Sequence, residues 1–312
     1  MRAVLRRWRR LRRWPEKWLF DLGFAIIPAL PRRAVVALAR GAGWLAYHLA
    51  RRDRRIALAN LDLAYGDSLP AREKAEIAKQ SFRTFALVLL DFFWFTRQMR
   101  ERVERYVVFD KAVVAWFGNG PLIAVTAHFG NWEVMGKSAA FLGMALASVA
   151  KPQRNPMIDA RLNRMRAATG QRVIPREGAL KALLKILREH GTVALLLDQD
   201  TRLSEGGVFV RFFGVPVPMS NAAAALALKT NAPIITAFCA MQPGGHYRVY
   251  VSEPLQPADI KDLSPAELTQ RIAGMLEQEI RREPGQWLWM YKRWKRRMPG
   301  FDPARYPFYA DS

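Results

Sequence analysis

Residues 121–136 read PLIAVTAHFGNWEVMG. Leu122 to Ala127 is apolar without interruption and short enough to be a buried strand of a parallel sheet. The run stops at His128, and helical spacing resumes after Asn131. Glu133 follows His128 by five positions, across a Phe-Gly-Asn turn. A strand-to-helix junction can aim a His at the strand's exit and a Glu in the next helical turn at one spot. Such a pair takes a proton from a hydroxyl and steadies the imidazolium that results. The same spacing also arises when a surface or core His lies near an unrelated Glu. Its setting at a strand exit, where α/β sheets place their sites, favours the catalytic reading. Gly130 adds room for close approach.

Working outward, the region after about residue 106 alternates strand and helix. Strand candidates are 122–127, 146–150, 193–197, 208–213, 233–240 and 247–251, and helix candidates are 132–143, 156–169, 178–190, 220–230 and 264–282. Asn155-Pro156 supplies a cap with Pro at the first helical position. Gly191 closes the helix holding Leu183, Leu184 and Leu187. Ser264-Pro265-Ala266-Glu267 is a capping-box sequence. The expected fold is α/β: a mainly parallel mixed sheet flanked by helices. No repeat or low-complexity linker divides it. Residues 1–60 read as a basic and apolar membrane-anchoring helical segment, and residues 61–312 as one domain. Residues 70–97 form a long helix whose second half, FALVLLDFFWF, is apolar almost all round, so it is deeply buried or lies against lipid.

The chain has 312 residues, half of them apolar, which is ample for a large core and excludes a disordered chain. A formal charge of +22 attracts polyanions: nucleic acid, an anionic membrane, an acidic carrier protein or a phosphorylated lipid. Cys239 lies in an apolar stretch and reads as a core residue. It and the four histidines show no zinc spacing, so no metal is expected. Eight Lys/Arg fall within the first 17 residues, interleaved with Trp8 and Trp14, and Trp18 and WLFDLGFAIIPALP follow. Asp21, Pro28 and Pro31 interrupt that apolar run, which argues against a clean spanning helix, and the basic residues and tryptophans beside it fit an interfacial anchor on an anionic leaflet, with a solvated basic tail before a core helix as the alternative.

Four further stretches carry side chains for chemistry. In KPQRNPMIDARLNRMRAATG, residues 151–170, Lys151, Arg154, Arg161, Arg164 and Arg166 cluster after a strand. Guanidinium forks suit phosphate and carbonyl oxygens, although a solvated cationic helix face looks the same. TVALLLDQD, residues 192–200, ends a second strand in Asp198, Gln199 and Asp200, either site groups or turn caps. GGVFVRFFGVPVP, residues 206–218, is an extended aromatic segment ending in Pro-punctuated turns; it reads as the wall of an acyl channel or as core. PGQWLWMYKRWKRR, residues 284–297, holds three Trp among basic residues and reads as a membrane-interface belt or a cation–π binding edge.

Taken in order, NLDLAYG, AHFGNWE, KPQRNPMID with Arg166-x3-Gly170, LLLDQD, GVFVRFFGVPVP and QWLWMYKRWKRR resemble the blocks of the lipid A late acyltransferase family, the Kdo2-lipid A lauroyl and myristoyl acyltransferases. That family lies within the lysophospholipid acyltransferase superfamily with its His-x4-Asp/Glu motif. The resemblance implies a glycerol-3-phosphate acyltransferase-like fold and O-acyl transfer from acyl carrier protein, or acyl-CoA, to a hydroxyl of a phosphorylated glycolipid. It implies His128 as general base, Glu133 as the group that orients it and holds its charge, and Arg166 and Asp198 as the family's functional arginine and aspartate. Lys151, Arg154, Arg161, Arg164, Asn131 and Gln199 are the substrate-binding candidates. Ala150-Lys151 stands where many members have an aromatic and an Arg. The oxyanion would meet backbone N–H groups near Gly130 or Arg166. No cofactor, metal or nucleic-acid partner is implied, and the expected location is the cytoplasmic face of a bacterial inner membrane. Another membrane-lipid acceptor, such as a lysophospholipid or glycolipid, would suit the same chemistry.

Overall fold

The computed structural model describes residues 18, 20–116, 120–141, 143–144, 146–150, 155–175 and 178–311. Helical residues 20–26 lead into helices α1 (Arg32–Leu49), α2 (Arg51–Tyr65) and α3 (Ala71–Trp94). Then follow α4 (Met99–Tyr106), β1 (Val107–Phe109), α5 (Lys111–Trp116), β2 (Leu122–Thr126), α6 (Trp132–Phe141), β3 (Leu146–Ala150), α7 (Pro156–Ala168), β4 (Arg172–Pro175), α8 (Ala179–Arg188) and β5 (Thr192–Leu196). The remainder is β6 (Gly207–Phe212), β7 (Val215–Ser220), α9 (Ala222–Thr230), β8 (Ile234–Gln242), β9 (His246–Val251), α10 (Pro257–Ile260) and α11 (Pro265–Arg282).

Seven strands form one sheet in the order β1-β9-β8-β2-β5-β3-β4, parallel except at β8–β9. All five residues of β2 are buried, as expected for a central strand covered on both faces. Helices α8, α9 and α11 cover one face, over Ile123, Val125, Val193 and Leu195. Helices α5 and α6 cover the other.

The local signals act as their chemistry requires. Asn155 Oδ1 accepts from Met157 N at 3.2 Å with Pro156 at the first helical position, and Ser264 and Glu267 close their capping box. At the end of α8 it is His190, at φ 59°, that takes the left-handed position, while Gly191 returns its N–H to Ile186 O at 2.8 Å. The Pro-punctuated residues after Gly214 are a strand rather than turns. β7 pairs only with β6, so the missing N–H groups of Pro216 and Pro218 lie on a free edge.

Two apolar segments are core, not surface. Trp287, Trp289 and Trp294 are buried to 1% or less, so residues 284–297 are not an interface belt. Phe212 and Phe213 pack against those Trp rings. Burial also holds Cys239, whose thiol is pushed far up. Ala57 and Leu61 share the main core with the sheet. Asn60, fully buried, donates to Trp289 O at 2.7 Å and Tyr291 O at 2.8 Å, so α2 is fastened directly to the C-terminal segment. Among the described residues no helix is long and apolar enough to cross a membrane.

Candidate active site

His128 sits two residues past β2, in the middle of the sheet, and Asp198 two residues past its neighbour β5. Both strands end at the same level, since Thr126 pairs with Leu196. Asp198 grips the histidine twice: its Oδ1 meets His128 Nδ1 at 2.8 Å and its Oδ2 accepts His128 N–H at 2.8 Å. Trp287 Nε1–H donates to Oδ2 at 2.9 Å. With Nδ1–H given to the carboxylate, the lone pair of a neutral ring sits on Nε2. Gln199 Nε2–H points at it from 3.1 Å. Trp132 packs edge-on against the imidazole, with ring centroids 4.8 Å apart.

The turn between His128 and α6 is clamped through its backbone. Leu288 N donates to His128 O at 3.1 Å, Gly130 N to Gln286 O at 2.9 Å and Asn131 N to Cys239 O at 2.9 Å. Gly130 has φ +55°, and a Cβ there would lie 1.9 Å from Cys239 O, so only glycine fits. Because the N–H groups of Gly130 and Asn131 are already bonded, they are not free to meet an oxyanion. Arg166 was the other group expected there.

Glu133 does not orient the ring. Its Oε1 takes Arg166 Nη2 at 2.8 Å, and both side chains are mostly buried. Orientation falls to Asp198, because that carboxylate comes off the adjacent strand and reaches Nδ1 directly. Glu133 still acts at a distance. Burial of His128 opposes its protonation, but the Asp198 carboxylate and its hydrogen bond outweigh this, helped by the charge of Glu133, and the imidazole is raised above its ordinary value. For Asp198, burial pushes upward and is overcome by the His128 contacts and the Trp287 hydrogen bond, leaving the acid below its usual value.

The other expected residues scatter. Lys151 and Arg154 lie outside the described residues. Arg161 pairs with Asp21 at 2.8 Å and lies 4.1 Å over the Phe24 ring, facing the N-terminal helical residues. Arg164 is exposed on α7. Asn131 is fully buried and caps α6 by accepting from Val134 N at 3.0 Å, which removes it from the substrate-facing set. Gln199 is at the site. Two groups were not singled out from sequence. Trp287 was hidden in a stretch that looked interfacial. Lys137 lies one turn beyond Glu133 on α6, buried, and burial depresses its ammonium to about 8 despite nearby Glu133. No cluster able to hold a metal occurs among the described residues.

Beside the imidazole, a narrow cavity of about 60 Å³ runs between α6 and the sheet. Its lining is apolar: Trp132, Met135, Gly136 and Ala139 from α6, and Ala124, Thr126, Ala194, Leu196, Leu146 and Ser148 from the strands, with Gln171 at the far end. No residue of 206–218 lines it; of the two readings of that segment, core holds for Phe212, Phe213, Val215 and Val217, while Phe209, Val210, Arg211 and Pro216 line a separate cavity. A base whose Nε2 is met by the exposed Gln199 side chain, near an apolar slot, is equipped to activate an alcohol beside an aliphatic chain.

Comparison with known proteins agrees. A lipid A biosynthesis acyltransferase of Haemophilus influenzae is 27% identical over 310 residues, covering 94% of this chain and 95% of that protein. An Escherichia coli lipid A biosynthesis palmitoleoyltransferase is 24% identical over 295 residues, covering 92% and 94%. A phosphatidylinositol mannoside acyltransferase of Mycobacterium tuberculosis is 26% identical over 287 residues, covering 89% and 88%. A crystal structure of the 1-acyl-sn-glycerophosphate acyltransferase PlsC from Thermotoga maritima aligns with a TM-score of 0.35 at 15% identity, over 80% of this chain and 95% of that one. The sequence pattern of the family described as bacterial lipid A biosynthesis acyltransferase matches residues 2–296, and so this chain belongs to that family and is an enzyme that transfers acyl groups.

Proposed function

We propose that the protein moves a fatty acyl chain from an acyl carrier protein thioester to a hydroxyl of a phosphorylated lipid A precursor, with His128 as general base. The observation that carries this reading is the Asp198–His128 pair, which occupies Nδ1 and leaves Nε2 facing outward toward Gln199. The acceptor hydroxyl takes the place of Gln199 at Nε2 and gives up its proton as its oxygen attacks the thioester carbon. The imidazolium is steadied by Asp198 at contact and by Glu133 at range. Arg166, held by Glu133, is the cation for the oxyanion. Collapse expels the thiolate, which His128 protonates. Proton transfer of this kind contributes about two to four powers of ten.

The acyl chain lies in the cavity under α6. The lining runs from the level of Thr126 to that of Leu146, which pairs through Thr192 with Leu122. Four strand residues span about 13 Å. With bonds of about 1.5 Å set in a zigzag, that depth suits about ten carbons. The slot is narrow, so an entering chain must part α6 from the sheet.

Seating on the cytoplasmic face of the inner membrane is supported by outward apolar side chains. Trp18, Leu22 and Ile26 are about half exposed or more, and Leu38, Leu45 and Leu49 form one stripe along α1. The basic surface suits both an anionic leaflet and an acidic carrier.

The deciding experiment presents purified full-length protein with acyl carrier thioesters and, separately, a lipid A precursor, a lysophospholipid and a phosphatidylinositol mannoside, and reads products by mass spectrometry. Acylation of the lipid A precursor, abolished in His128→Ala, is the expected result. Preference for another acceptor overturns the substrate; near-normal turnover by His128→Ala overturns the base.

A further inference from the structure

Away from the reacting atoms, a buried polar cluster joins four elements. Arg32 opens α1, Asp91 lies near the end of α3, Asn131 follows the catalytic turn, and Tyr247 is on β9. All four are 5% exposed or less. Arg32 forks onto Asp91, with Nη1 on Oδ1 and Nη2 on Oδ2 at 3.1 Å. It also donates to Gly245 O from Nε at 3.0 Å and Nη2 at 2.6 Å. Asp91 Oδ2 further accepts from Tyr247 OH and from Asn131 Nδ2 at 3.2 Å, and Asn131 Nδ2 reaches Tyr247 OH at 3.0 Å. The same Asn131 accepts from Val134 N through Oδ1, at the start of the helix that carries Glu133.

A buried ion pair is poor evidence for stability, since apolar residues of like volume often serve as well. This one ends on the residue that closes the His128 turn. The amide of Asn131 is held at both ends, by α6 on one side and by Asp91 and Tyr247 on the other, and that fixes where α6 begins and where Glu133 and its Arg166 partner stand. Arg32 brings the first turn of α1, the helix with the outward apolar stripe, onto the same carboxylate.

We propose that Asp91 and Tyr247 are positioning residues for acyl transfer, setting the catalytic turn and the head of α6 through Asn131. The proposal rests on His128 as base, and it concerns geometry rather than proton transfer. A displacement of about an ångström in a reacting group can cost about a hundredfold in rate.

The test uses the full chain with acyl carrier thioester and acceptor in mixed micelles. Asn131→Ser keeps a good helix cap but cannot reach Asp91. Tyr247→Phe removes one hydroxyl without changing volume. Both are expected to lower kcat about tenfold or more with KM for each substrate within about twofold. The acid limb of the pH profile should stay in place, because Asp198 still holds Nδ1. Asp91→Asn should lose more, and Arg32→Lys should keep part of the activity that Arg32→Met loses. Wild-type kcat in folded Asn131→Ser and Tyr247→Phe overturns the proposal, as does activity that falls only in step with the folded fraction in thermal melts. A His128→Ala variant that keeps turnover would instead sink the general-base reading.

Discussion

Asp198 sets the protonation of His128, and its removal should show in two ways. On the proposed mechanism the base works only when neutral, so kcat/KM should rise as pH passes upward through the imidazole's pKa, which Asp198 and Glu133 raise above its ordinary value. Asp198→Asn should move that limb to lower pH and cut kcat by about two to four powers of ten, since the ring loses both its tautomer and its support. A pH–rate profile of wild type and variant checks both. Lys137 gives a stability prediction. Its pKa falls from 10.5 unfolded to about 8 folded. Between those values the unfolded chain binds more protons, so native stability rises with pH across that window, by about 3 kcal/mol at most. Lys137→Met should lack this rise and be more stable at neutral pH; urea titrations at pH 7.5 and pH 10 compare them. His128 and Asp198 were legible as residue types at strand ends, and Glu133 and Arg166 in the helical stretches that follow strands. Which carboxylate meets the ring was not, because a spacing along the chain says nothing of a carboxylate delivered by the neighbouring strand 70 positions away.

At the scale of elements, α6 roofs the cavity and Gly136 is its thinnest point. A Cβ at Gly136 would already come within 3.2 Å of Gln171 Nε2, which itself donates to Ser148 Oγ at 2.9 Å. Gly136→Leu should therefore shorten the acyl chain that is accepted by a few carbons. Each methylene kept out of the slot forfeits about 0.8 kcal/mol of burial, so the preference between donors should shift several-fold per carbon. Competition between acyl thioesters of different length, read by product mass, checks it. Most strands and helices were visible as apolar runs and caps. β1 and β4 were too short to stand out, and β7 carries two prolines that read as turns until its free edge is seen. The three C-terminal Trp misled for another reason: amphipathic rings beside cations look alike in a belt and in a core, and only their indole N–H partners tell them apart.

For the whole molecule, the proposed seating on a membrane rests on charge and outward apolar surface together. Leu38→Ser, Leu45→Ser and Leu49→Ser combined should weaken binding to vesicles containing anionic lipid by about a hundredfold, judged at about 1.5 kcal/mol or more per buried leucine and discounted for shallow insertion. Added salt should weaken what remains. Vesicle co-sedimentation measures both, with turnover on a soluble acceptor as the control for folding. The parallel sheet and the acyl-transfer chemistry were legible from ordered motifs, whereas the fastening of α2 to the C-terminal segment depends on one buried asparagine between remote stretches.

Residues 286–288 hold the backbone on both sides of Phe129, and Trp287 bonds Asp198, so the pocket draws on a segment that follows every strand of the sheet. A polypeptide cut before residue 284 would keep the whole sheet yet leave the imidazole without these supports, so the strands alone do not make a working site.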